Sequence, residues 1–276
     1  MFVRRYWRTS HYPVNASRAT LVPDGARLTP RLSAALIVHN EERYLGDCLA
    51  SLRGLADEVI VLDDGSTDAT VAIARAAGAR VEHRPFDDFS RQKQAALSLA
   101  TGDWVLVIDA DERVTPDLAR SIRAAVAADA AVDGYWVRRT LTYLGARLRF
   151  GGTGSEWILR VVRRDRARFS DRPIHEHLLV PGPTARLSGT LDHLKYTTLS
   201  EHLRTIDRYT DVIAAEKRAL GGRFHGWHIL RVATELVTRL VFRGGILDGR
   251  PGIIYAVMAS YYSFLKYAKM WRAGDR

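Results

Sequence analysis

Apolar residues come in short runs that each end in acids or in histidine and asparagine. Ser33–Val38 (S-A-A-L-I-V), Glu58–Leu62 (E-V-I-V-L) and Trp104–Ile108 (W-V-L-V-I) have the length and continuity of strands buried on both faces, and Arg80–His83 is a further short strand. Between them the apolar period lengthens to that of a helix. Tyr44, Leu45, Cys48, Leu49 and Leu52 mark a helix over 42–53, and two more are predicted at 68–77 and Phe89–Ala100. Thr67 or Asp68 is placed to cap the second, and Gly78 to stop it. This alternation predicts an α/β fold with a parallel, doubly wound sheet covered by helices on both faces.

Beyond Pro116 a helix runs to about Ala128, and strands are expected at Tyr135–Leu141 and Leu159–Val162. They flank Gly151-Gly152-Thr153-Gly154, a loop with unusual backbone freedom. After His193 the pattern is helical, over 199–219, 225–242 and 251–271, the last two apolar on one side and studded with Arg and Lys. Pro251–Leu265 is apolar but too short and too interrupted for a membrane span. It suits a helix lying in the membrane interface, or equally one packing on the core. The expected layout is a disordered leader over 1–31, an α/β domain over 32–195 and a helical extension over 196–276. The domain divides at about 113 into two halves.

Ligands of open α/β sheets bind beyond the carboxyl ends of the strands. His39–Glu42, Asp63–Asp68 and Asp109–Glu112 all fall there. Three acids within Asp109-Ala110-Asp111-Glu112 repel one another unless water, a basic side chain or a cation lies among them. Oxygen ligands of this kind suit Mg²⁺ or Mn²⁺ that keeps positions open for phosphate. A turn of solvated acids is the ordinary alternative. Asp63 and Asp64 could accept from a ribose or a base, and an ordinary turn explains Thr67 or Asp68 but not this acid pair. Arg91, Gln92, Lys93 and Gln94 could reach a base or phosphate, or form a solvated helix face. Arg160, Arg163 and Arg164 could neutralise a diphosphate, or edge a strand. In Ile174-His175-Glu176-His177 a carboxylate or imidazole could take a proton from a hydroxyl. The two histidines point oppositely in an extended segment, which argues against zinc. His193 stands alone.

Composition narrows the classes. Lys and Arg outnumber Asp and Glu by 41 to 31, a net charge of +10 that suits an anionic partner: nucleic acid, a phosphorylated small molecule or an acidic membrane. The single cysteine, Cys48, excludes an internal disulfide and fits a reducing cytoplasm. No apolar segment of the signal-peptide kind follows the basic start. A scaffold or nucleic-acid-binding reading follows from charge alone, but acids at strand ends would repel phosphate unless a cation is bound.

The stretches L-I-V-H-N-E-E (36–42), V-I-V-L-D-D-G-S-T-D (59–68) and D-W-V-L-V-I-D-A-D-E-R (103–113) together resemble the family 2 inverting glycosyltransferases of GT-A fold. R-Q-K-Q-A-A-L (91–97), R-F-S-D-R-P-I-H-E (168–176) and S-Y-Y-S-F-L-K-Y-A-K-M-W (260–271) extend the resemblance to bacterial lipopolysaccharide-core enzymes of the β-1,4-glucosyltransferase type. The resemblance implies that Asn40, Glu41, Asp63, Asp64, Lys93, Asp109, Arg160 and Arg163 serve the nucleotide sugar, with a UDP-sugar the first expectation. It implies Asp111 and Asp109 as ligands of Mg²⁺ or Mn²⁺, with His193 a late metal contact. Gly151 and Gly152 would form the acceptor loop, and Glu176 the catalytic base, with Asp171 and Glu156 as rivals. It also implies a saccharide or glycolipid acceptor, peripheral contact with the inner face of the cytoplasmic membrane, and no nucleic acid. A polyprenyl-phosphate sugar transferase of the same fold is the alternative. The sequence departs from the glucosyltransferase pattern at Thr153-Gly154-Ser155-Glu156-Trp157, where more aromatic residues are expected.

Overall fold

The computed structural model describes residues 29–170 and 177–271. Most of the expected leader, and both Asp171 and Glu176, therefore lie outside the described residues. The first half follows the predicted alternation: β1 (Leu32–Val38), α1 (Leu45–Leu52), β2 (Glu58–Asp63), α2 (Thr70–Ala76), β3 (Arg80–His83), α3 (Phe89–Leu99) and β4 (Trp104–Val107). These strands pair in parallel in the order β3-β2-β1-β4. Both faces are dry. Ala34, Leu36 and Val38 of β1 join the core formed with α1 and α4 (Pro116–Ala128), whereas Ala35 joins the opposite core with Ala96 and Leu97 of α3. Successive strand residues point to opposite faces, so a continuous apolar run is what burial on both sides demands.

Beyond β4 the sheet becomes mixed. β5 (Glu112–Val114), β6 (Gly134–Tyr143), β7 (Ala146–Leu148), β8 (Ser155–Arg163) and β11 (Thr184–Lys195) continue it in the order β4-β8-β6-β11-β5, with β7 alongside β6. β8 runs antiparallel to both β4 and β6, β11 is parallel to β6, and β5 is antiparallel to β11. β9 (Arg168–Phe169) and β10 (Leu178–Leu179) form a separate two-stranded ribbon.

Three expectations need correction. β11 was not anticipated, nor was β5, and β6 and β8 extend past the predicted strands. The predicted cap of α2 is absent: the N-cap is Ala69, without a side-chain bond. Asp68 instead accepts from the Thr70 N–H (2.9 Å) and the Glu42 N–H (3.2 Å), tying two loops together. At the C-terminus, α5 (Leu199–Ala219) matches its predicted span. The next helix is α6 (Trp227–Val237) continued by a π-helical turn (Thr238–Phe242). A 3₁₀ turn (Gly245–Asp248) then leads into α7 (Gly249–Ala268), which packs on α5, α6 and β7.

Candidate active site at the carboxyl edge

β1 is flanked by β2 on one side and β4 on the other, so a crevice opens beyond its carboxyl end. Asn40, the second residue past β1, adopts φ 55°, a left-handed conformation that asparagine tolerates. Its amide oxygen accepts from the Thr67 N–H (2.8 Å), and its own N–H donates to Ser66 Oγ (2.9 Å). Asn40 thus clamps the loop after β1 to the loop after β2. The buried Asp63 carboxylate is turned to its own loop, accepting from the Gly65 and Ser66 N–H groups (3.0 and 3.2 Å). Asp64 pairs with His39 Nδ1.

The acids after β4 divide into two kinds. Asp109 is engaged by bases: Arg160 Nη2 lies 2.6 Å from Oδ2 and Lys93 Nζ 3.1 Å from Oδ1. Burial alone would favour its neutral form, but Arg160 and Lys93 overcome that and hold the carboxyl far below the usual carboxylate range. Glu112 is buried completely. Its Oε1 accepts from Arg160 (2.9 Å) and Arg139 (3.2 Å), and its Oε2 from the Asp109 N–H (3.1 Å). Arg139 also holds Glu156, which lies opposite it in the β6–β8 register. A ladder of alternating charge, Glu156–Arg139–Glu112–Arg160–Asp109–Lys93, therefore runs through the edge of the sheet.

Asp111 is different. Its carboxylate is about one-third exposed and meets His193 Nε2 at 3.0 Å, while its carbonyl accepts the Leu194 N–H (2.8 Å). Nearby, burial, with Asp111 and then Asp109 as the next causes, pushes the Glu41 carboxyl up to about 7. Burial likewise pulls Lys195 below its ordinary value, against the attraction of Asp111. Asp111 is answered by His193 and by the half-buried Lys195, and Glu41 has no basic partner of its own among the causes of its shift. No three His, Cys, Asp or Glu side chains among the described residues form a ready metal cage. The Asp111–His193 pair still fits a divalent cation that takes its remaining ligands from diphosphate oxygens and water, one hard oxygen and one imidazole nitrogen being a donor set that suits Mn²⁺.

Most of the predicted site residues meet here: Asn40, Glu41, Asp63, Asp64, Lys93, Asp109, Asp111, Arg160 and His193. Arg163 does not. It belongs to the end of β8 paired with Trp104 at the amino end of β4, and antiparallel pairing carries it to the far side of the sheet. There it stacks 4.5 Å from the Trp104 ring and bonds Asp129 Oδ1 and the Val132 carbonyl. Arg164 goes with it, bonding the Gly102 carbonyl. Gly151 and Gly152, at φ 71° and 79°, lie against the C-terminal elements, where the Gly151 N–H donates to the Arg243 carbonyl (2.8 Å). Arg139 and Lys195 are additions that the sequence reading missed. Lys195 had a signal, because two residues after His193 on one strand is the same face.

Residues 33–176, more than half the chain, match the Glycosyl transferase family 2 profile. The chain belongs to glycosyltransferase family 2, and its curled sheet flanked by helices is the GT-A arrangement. It is 30% identical over 249 residues to the lipopolysaccharide core biosynthesis glycosyltransferase LpsC of Rhizobium meliloti, covering 87% of this chain and 92% of that one. It is 26% identical over 255 residues to an uncharacterized glycosyltransferase of Rickettsia typhi, covering 87% and 86%. Among solved structures it is similar to Mycobacterium tuberculosis glucosyl-3-phosphoglycerate synthase, in a complex with Mn²⁺, UDP and glucosyl-3-phosphoglycerate. The identity there is 19%, the TM-score 0.41, and the coverage 75% of this chain and 88% of that one. The chain is therefore a glycosyltransferase, and the scaffold reading drawn from charge alone falls away.

Proposed function

We propose that this enzyme moves a sugar, with inversion, from a nucleotide-sugar donor to a saccharide or glycolipid acceptor of the lipopolysaccharide-core class. The observation that carries the reading is the pairing of Asp111 with His193, with Glu41 nearby, at the carboxyl edge of a transferase sheet. The similarity to a lipopolysaccharide-core enzyme over nearly the whole chain supports the acceptor class over a polyprenyl phosphate.

In this reading residues 32–113 hold the donor and 114–195 the acceptor, while 196–276 form an extension. Asn40, Glu41 and the loop after β2 line the nucleotide end, and Asp63 shapes that loop through its amides. Asp111 and His193 would hold Mg²⁺ or Mn²⁺, which supplies charge neutralisation to the departing diphosphate. Lys93 and Arg160 fix Asp109 in place and keep positive charge on the same side of the pocket. The acceptor hydroxyl oxygen forms a bond to the anomeric carbon as the bond to the diphosphate oxygen breaks. The hydroxyl proton passes to a carboxylate, assigned to Glu176, with Asp171 and Glu156 the other candidates. The protein works in the cytoplasm, peripherally on the inner face of the membrane.

A thermal-shift screen of nucleotide sugars, with and without Mn²⁺, tests the proposal. Stabilisation by one donor that is larger with the cation is expected. If no nucleotide sugar moves the melting temperature under any divalent cation, the donor assignment is wrong.

A further inference from the structure

The C-terminal elements leave apolar side chains in water where they touch the glycine loop. Phe242, ending the π-helical turn, is 81% exposed, and Leu247 and Ile246 of the 3₁₀ turn are 68% and 57% exposed. Phe150 belongs to the same patch. A β-carbon placed on Gly244 would lie 3.3 Å from Leu247 Cδ1 and 3.6 Å from Phe150 Cδ1. The patch is fixed to the loop rather than dangling from it. The Asp248 carboxylate accepts from the Arg149 and Phe150 N–H groups (3.0 and 2.9 Å), and Arg239 reaches the Gly151 carbonyl (3.3 Å).

The charge around this patch is mostly positive. Residues 144–153 and 238–253 hold five arginines, namely Arg147, Arg149, Arg239, Arg243 and Arg250, and one acid, Asp248. That acid is already committed to the two backbone N–H groups, while Arg147, Arg149, Arg243 and Arg250 are exposed. Exposed apolar groups ringed by arginine suit a surface that offers hydrocarbon beneath a layer of phosphates.

We propose that this patch is a membrane-docking tip for an anionic bilayer surface. Phe150, Phe242, Ile246 and Leu247 enter the boundary between headgroups and acyl chains, and the exposed arginines pair with lipid phosphates. No helix among the described residues is long and apolar enough to cross a membrane. A second copy of the chain fits less well. A two-fold contact through this face would bring arginine rings together with no free acid to answer them. The functional meaning rests on the transferase reading, since docking here holds the glycine loop at the surface where a glycolipid headgroup lies. The binding itself does not.

Co-sedimentation of the full chain with phosphatidylcholine vesicles, with or without about 30% phosphatidylglycerol, tests the tip. Binding is expected on the anionic vesicles only, and to weaken when salt rises from about 0.05 to 0.5 M. Phe242→Glu with Leu247→Glu, and separately Arg147→Glu with Arg250→Glu, are each expected to weaken it at least about tenfold, with unchanged thermal melts. Wild-type protein that ignores anionic vesicles overturns the proposal, as do folded variants that bind like wild type. A lipid-free dimer dissociated by the Phe242 and Leu247 substitutions also overturns it, and gives the face to a second copy. Donor-induced stabilisation is read without lipid, so lost docking with intact donor binding refutes the tip alone, and the reverse refutes the transferase reading alone.

Discussion

Glu112 sits wholly out of water between two guanidiniums, Arg160 at 2.9 Å and Arg139 at 3.2 Å. Removing one member of a buried charge cluster strands the others, so Glu112→Ala should cost about 3–5 kcal/mol. At about 2–4 °C per kcal/mol for a chain of this size, a calorimetric melt should fall by roughly 6–20 °C. Arg160 heightens the effect, because it is itself buried and its Nε has no partner among the described residues. Asp111, partly exposed and outside that ladder, should behave in the opposite way. Asp111→Ala should leave the melt nearly unchanged, remove the cation-dependent part of donor stabilisation, and slow transfer by at least about 100-fold in a product-release assay. Glu176→Gln should retain donor stabilisation and lose transfer, and a fully active variant would move the base to Glu156 or Asp171. The clustering of acids at the strand end could be read locally, because strand, bend and acids are contiguous in sequence. Their division of labour could not. The partners that separate Asp109 and Glu112 from Asp111 come from α3, β6, β8 and β11, and no local pattern records those approaches.

Among the elements, β1, β2 and β4 were readable because a strand buried in the middle of the sheet writes itself as an apolar run. β11 does not. Only Leu187 and Leu191 are fully buried along it, and Ser188-Gly189 imitates a turn. In the structure that dipeptide lies in a register shift between Arg186 and Thr190. Gly189, at φ 86°, lets the strand pass the first turn of α4 so closely that any β-carbon would run into the Leu118 backbone nitrogen. The same crossing is tied by Thr115, whose hydroxyl donates to the Thr190 carbonyl (2.7 Å) and accepts the Thr190 N–H (3.2 Å). Gly189→Ala should therefore cost about 2–4 kcal/mol from left-handed strain and overlap together, measured by urea denaturation. Because β11 carries His193, transfer should fall with stability.

Across the whole molecule, α5 is joined to the sheet through His202, which stacks on Tyr196 and bonds the Tyr143 hydroxyl at 2.9 Å. Burial, reinforced by Lys195, depresses the imidazole to about 4. The unfolded chain takes up this proton near pH 6.5, whereas the folded one stays neutral until about pH 4. Stability should thus be intact above pH 6.5 and erode as the pH falls towards 4, by about 3 kcal/mol from this group. His202→Gln should flatten that part of a stability-against-pH curve obtained by chemical denaturation. The three C-terminal helices were recognisable by their period. Their attachment was not, since an amphipathic stripe shows that a face is apolar without saying which neighbour covers it.

β11 enters the sheet last, yet it delivers His193 to within 3.0 Å of an acid 82 positions earlier. Synthesis runs from the amino end and domains fold as they emerge. A growing chain can therefore build the parallel β3-β2-β1-β4 half while the imidazole side of the Asp111 pair has yet to leave the ribosome. On the proposed role of His193, catalytic competence would then arrive only once β11 is made, and polypeptides released before that strand would be folded in part but unable to transfer sugar.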